Sequence, residues 1–83
     1  MKELFTATSQ DRSIKSYVVG GGYVVEIIDD KSMREAWLYH VDYGIKSLMF
    51  GIDVNEQSNG EFLELVKDNL LDYIADYEYR YAS

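Results

Sequence analysis

The chain has no cysteine, a single histidine and only eight basic residues against fifteen acidic ones in 83 positions. Without thiols it can form no disulfide, zinc–thiolate site or cysteine nucleophile, and it keeps no mark of an oxidising compartment. The formal charge of -7 argues against direct contact with nucleic acid or anionic membranes and favours cationic surfaces. Long apolar runs are also missing: none approaches the roughly 20 residues that span a bilayer. Met1-Lys2-Glu3-Leu4-Phe5 is followed by Thr, Ser and Gln rather than by the apolar core of a signal peptide. The expectation is a soluble, cytoplasmic protein with no membrane partner.

Hydrophobic residues make up 47% of the chain and eight positions are tyrosine, enough to build a compact core despite the charge. The length permits one core, and therefore a single domain over residues 1–83.

Ile14 to Val19 and Tyr23 to Ile28 are rich in β-branched and aromatic residues and flank Gly20-Gly21-Gly22, the pattern of a hairpin. A turn at Asp29-Asp30-Lys31-Ser32 leads to a third strand, Met33 to His40, with Trp37 and Tyr39 on one face and Ala36, Leu38 and His40 on the other. Met1 to Thr8 can add an edge strand before the break at Ser9-Gln10-Asp11-Arg12-Ser13. In the stretch from Tyr43 to Gly51, Ile45, Leu48, Met49 and Ile52 fit a helical face, while Leu48, Phe50 and Ile52 fit a strand. The favoured reading is a short helix capped by Asp42 and ended by Gly51.

Ser58 and Glu61 have capping-box spacing. Leu63, Val66, Leu70, Ile74, Tyr77 and Tyr81 then recur at steps of three and four, which predicts a long amphipathic helix from about Asn59 to about Arg80 laid on the sheet. The expected fold is α+β: a three-stranded antiparallel meander, or four with the edge strand, then a short helix and the long C-terminal helix.

Opposite the apolar stripe, Glu61, Glu64, Asp68, Asp72 and Asp76 form a line of carboxylates, with about 6 Å of axial rise per four-residue step. Like charges at this spacing cost an isolated helix a few tenths of a kcal/mol per pair, and late-helix acids oppose the macrodipole. Local rules broken together point to function, although a charge run is as often a solvated face. Tyr79 falls among these acids and Tyr73 at the stripe's edge, both of a type enriched in binding hot spots. Leu48-Met49-Phe50 could form a dimer contact if uncovered, burial being the commoner outcome.

Other chemistries find little support. The segment from Asp53 to Glu64 has the length of a calcium loop, but Ser58 stands where that loop needs glycine. His40 shares a strand face with Asp42, without a nucleophile at a characteristic spacing. Asp29-Asp30 lies in a turn that favours both residues, and the three glycines join strands rather than opening a helix, so they form no phosphate cradle. No enzyme activity, metal or cofactor is expected.

Small size, strong acidity, a sheet with helices and a tyrosine-laced carboxylate face resemble the small phage- and mobile-element-encoded inhibitors that imitate nucleic acid, anti-CRISPR proteins among them. The resemblance covers the general plan of the chain and rests on no motif. It implies that Glu61, Glu64, Asp68, Asp72 and Asp76 stand in for phosphates, with Tyr73 and Tyr79 adding contact area. The partner would be a basic nucleic-acid-binding protein such as a CRISPR nuclease or effector complex. The alternative is a small interaction or assembly module, including a homodimer, whose acidic face is merely solvated.

Overall fold

The computed structural model describes residues 2–82. Five antiparallel strands, β1 (Lys2–Thr8), β2 (Ser13–Gly20), β3 (Tyr23–Asp29), β4 (Met33–His40) and β5 (Lys46–Asp53), precede one helix, α1 (Asn59–Tyr81). Strand order in the open sheet is chain order, β1-β2-β3-β4-β5. The expected hairpin and third strand are β2, β3 and β4, and the edge strand is present as β1; Met1, the first residue expected in it, lies outside the described residues.

The short helix expected between Asp42 and Gly51 is corrected to a fifth strand. Gly44 adopts φ +70, a left-handed conformation that interrupts a helix at its first turn, and its N–H closes back on the His40 carbonyl at 2.9 Å. The chain then pairs with the free edge of β4 from Tyr39↔Lys46 to Met33↔Asp53. A bulge between Ala36 and Trp37 in this ladder pairs Trp37 with Leu48 and Ala36 with Phe50, so Met49 is the extra residue and the alternation resumes beyond it. Met49 is buried, Phe50 is half-buried and Leu48 is exposed. The three residues therefore do not form one continuous patch.

The helix begins as its capping box requires: Ser58 Oγ accepts from the Glu61 N–H and the Glu61 carboxylate accepts from the Ser58 N–H. Its buried residues are Phe62, Val66, Leu70 and Tyr77, with Leu63, Tyr73 and Ile74 packed at the margin. The buried stripe is thus rotated from the expected one, which began at Leu63 and ended at Tyr81. Phe62 is fully buried and Tyr81 is exposed, although the Tyr81 ring still touches Tyr77.

Register divides the sheet into two faces. Tyr17, Tyr23, Val25, Ile27, Arg34, Ala36, Leu38 and His40 face the helix and are buried. The other face carries three cross-strand rows: Lys2, Val18, Val24, Tyr39, Lys46; then Phe5, Ser16, Glu26, Trp37, Leu48; then Ala7, Ile14, Ile28, Glu35, Gly51. The helix follows β4 from Arg34 towards His40: Phe62 packs on Phe50 and under the Arg34 guanidinium near one end, and Tyr77 meets Tyr23 near the other.

Candidate functional site

The helix face turned away from the sheet is built by subtraction. Once Phe62, Val66, Leu70 and Tyr77 are committed to the core and Leu63, Tyr73 and Ile74 to its margin, about 100° of rotation per residue leaves the far side of the helix to solvent. Glu61, Glu64, Asp68, Asp72 and Asp76 are all exposed. Because a step of four residues over-rotates by about 40°, the line winds from the outward face at Glu64 to the helix flank at Asp76. Cations touch it at two points: Lys67 reaches Glu64 at 3.4 Å and Arg80 reaches Asp76 at 3.2 Å. Both pairs are solvent-exposed and worth little individually. Asp68 and Asp72 lie between them.

Two large apolar side chains stand on this same face. Leu71 is 79% exposed and Tyr79 is 81% exposed; with Ala75 between them they follow steps of four and run parallel to the line of acids, about 90° round the helix from it. Leu71 belongs to the face as much as Tyr79 does, and sequence reasoning missed it because a leucine in an amphipathic helix reads as core. Its signal was angular, since Leu71 sits about 140° from the centre of the buried stripe. Tyr73 lies on the sheet side, half-buried, with its ring 5.9 Å from that of Phe50. Tyr79 and the five acids share the outer surface; Tyr73 does not join them.

At the N-terminal end of the face, Gln57, Gly60, Glu61, Glu64, Leu65 and Asp68 line a shallow open groove. Three of these residues carry carboxylates, and the buried Gln57 Oε1 has no hydrogen-bond partner among the described residues. A groove lined by acceptors suits a lysine or arginine side chain. No three His, Asp or Glu side chains among the described residues gather to hold a metal ion, and Asp53 of the calcium-length segment accepts from the Asn55 N–H in a local turn. No described helix is long and apolar enough to cross a membrane.

His40 is a fold residue. The Asp42 backbone N–H donates to its Nδ1 at 3.1 Å, which leaves the ring proton on Nε2, 2.9 Å from the Gly21 carbonyl. The ring therefore joins the β2–β3 and β4–β5 turns, and its partner at Asp42 is the backbone rather than the carboxylate. It stacks on Tyr43 and meets Tyr23 edge-on. Gly22 is required beside it: φ is +83, and a Cβ there would come within 2.7 Å of Nε2.

In the same aromatic cluster the buried Tyr23 hydroxyl donates to Glu78 Oε1 at 2.9 Å. Burial first, and then the hydrogen bond to Glu78 and its charge, raise the Tyr23 phenol far above its ordinary value of 10.0. Because the folded-state value lies above the unfolded one, the contribution to stability is intact below about pH 10 and is lost as pH rises through the folded-state value. Urea unfolding should therefore give a stability that falls above about pH 10 by up to about 1.4 kcal/mol per pH unit from this group, and Tyr23→Phe should flatten that slope. An equally steep fall in the variant would assign the loss to other tyrosines, such as Tyr17, which burial also raises.

Comparison with protein-family models, curated proteins and solved structures gives no match.

Proposed function

We propose that this chain works by binding a protein, as an inhibitor whose acidic helix face occupies the basic nucleic-acid-binding groove of a partner such as a CRISPR effector. The observation that carries the reading is the joint exposure of Asp68 and Asp72 with Leu71 and Tyr79 on a helix anchored from its other side. A charged line alone would be satisfied by water. Leucine and tyrosine at about four-fifths exposure add apolar contact area beside the acids.

The mechanism is competition. Lysine and arginine side chains that bind phosphates release counterions when they do so, and a rigid helix bearing carboxylates about 6 Å apart along its axis offers the same charges without a sugar backbone or bases. The exposed carboxylates of Glu61, Glu64 and Asp68 take the donors of the partner at one end of the helix. This is binding rather than catalysis.

The test is immobilised native chain beside an Asp68→Lys/Asp72→Lys variant, with bound proteins eluted by rising salt and then assayed for displacement of labelled nucleic acid. The expected result is a nucleic-acid-processing enzyme held by the native chain only, released by salt, with competition weakened about 100-fold or more in the variant. Equal capture and equal competition by both would leave the acids as a solvated face. The alternative, an assembly module, is favoured by a different feature, the apolar sheet face opposite the helix.

A further inference from the structure

The sheet face opposite α1 breaks the usual rule for a one-sided antiparallel sheet, whose outward residues are polar. Of the fifteen positions in its three rows, more than half are large and apolar; they surround a central Glu26 and Ser16, with Trp37 beside Leu48 and Tyr39 beside Val24. Phe5, Val18 and Leu48 are 52%, 40% and 48% exposed. We infer that this face is the interface of a homodimer in which two sheets pack face to face, with the two helices on the outside.

Charge identifies the occupant as a second copy. The chain carries -7, yet the charged residues of the three full rows are two lysines, Lys2 and Lys46, and two glutamates, Glu26 and Glu35, which cancel, and Asp53, opposite Met33 in the short row beyond them, leaves the face with a single net negative charge. Glu26 and Lys46 are already paired at 2.8 Å. Two copies that meet here bring nearly neutral surfaces together and keep their acidic helices on opposite sides of the assembly, whereas approach by any helix face would oppose carboxylates to carboxylates. A basic partner would gain little from a face with a single net charge.

The dimensions agree. Five strands at about 4.8 Å and some six residues of registered ladder at about 3.4 Å give a footprint of roughly 500 Å² in projection. With side-chain relief, two such faces hide on the order of 1,000–1,500 Å², the lower part of the range for specific interfaces. The expected assembly is a concentration-dependent dimer with aligned sheets about 10 Å apart.

Sedimentation equilibrium of the full chain from micromolar to millimolar concentration should show the mass rising from 9.6 kDa to twice that value and stopping there. Val18→Lys/Leu48→Lys, at positions exposed in the single copy, should retain the native circular dichroism when dilute and abolish the rise. Asp68→Lys/Asp72→Lys should dimerise as well as the native chain, which separates this interface from the acidic one. Trp37, the sole tryptophan, reports without any substitution: its emission should shift to shorter wavelength in step with the mass. A chain that stays monomeric, a dimer that survives Val18→Lys/Leu48→Lys, growth beyond two copies, or association with unchanged Trp37 emission would each overturn the inference.

Discussion

Phe62→Ala is expected to lower the stability of the domain by about 3–5 kcal/mol. The ring is fully buried, packs 5.3 Å from Phe50 and lies 5.7 Å beneath the Arg34 guanidinium. Truncation removes the transfer free energy of the ring and leaves a cavity between the first turn of the helix and β4–β5. A domain of 83 residues holds roughly 4–12 kcal/mol in total, so the variant should be partly unfolded at 37 °C. Leu63→Ala, one position along and half-buried, should cost clearly less. The difference in urea midpoints measures the rotation of the buried stripe; equal losses would return the stripe to Leu63.

The second large effect is expected at Asp29. Arg34 is buried, and its guanidinium pairs with the Asp29 carboxylate through Nε while donating through a terminal nitrogen to the Gln57 carbonyl. One side chain thus ties β3, β4 and the segment that starts the helix. Asp29→Ala removes the counter-charge and leaves the guanidinium buried with the Gln57 carbonyl alone, a change of about 3–5 kcal/mol in comparable buried pairs. Asp29→Ala/Arg34→Met should recover much of the loss, because no buried charge then remains. If Asp29→Ala unfolds at the native urea midpoint, the pair is solvated and the helix start is held by its capping box.

These two residues also mark where sequence reading fell short. Ser58 and Glu61 announce the helix start because a capping box is a local contact between residues three apart. The three central strands were equally legible, β3 and β4 because their alternation coincides with burial, and β2 through its β-branched and aromatic residues beside the glycine turn. Arg34 was not, for an arginine beside exposed Met33 reads as surface until a carboxylate on the neighbouring strand and a distant carbonyl come to meet it. β5 was lost because Leu48 to Ile52 satisfies both the helical and the strand period, and the bulge at Met49 shifts the alternation midway. Phe62 and Leu71 are one error seen twice: a stripe started one residue late counts Leu63 as its origin, hides Phe62 and makes Leu71 unremarked. Of the proposed surface, the acids and Tyr79 were legible as charge and spacing; Leu71 and the placing of Tyr73 depended on how the helix rolls on the sheet.

The strands are laid side by side in the order in which they are synthesised, and every connection between neighbours is a short turn. Such a sheet can zip hairpin by hairpin with small loop-closure costs. The helix follows all five strands, so Val25, Ile27, Ala36 and Leu38 stay uncovered on the nascent sheet until α1 emerges. During that interval the sheet is apolar on both faces and open at both edges, the condition under which partly folded β-proteins aggregate. Slow translation through residues 54–82 would lengthen that exposure, which makes the timing of the helix, rather than the pairing of the strands, the vulnerable step in making this protein.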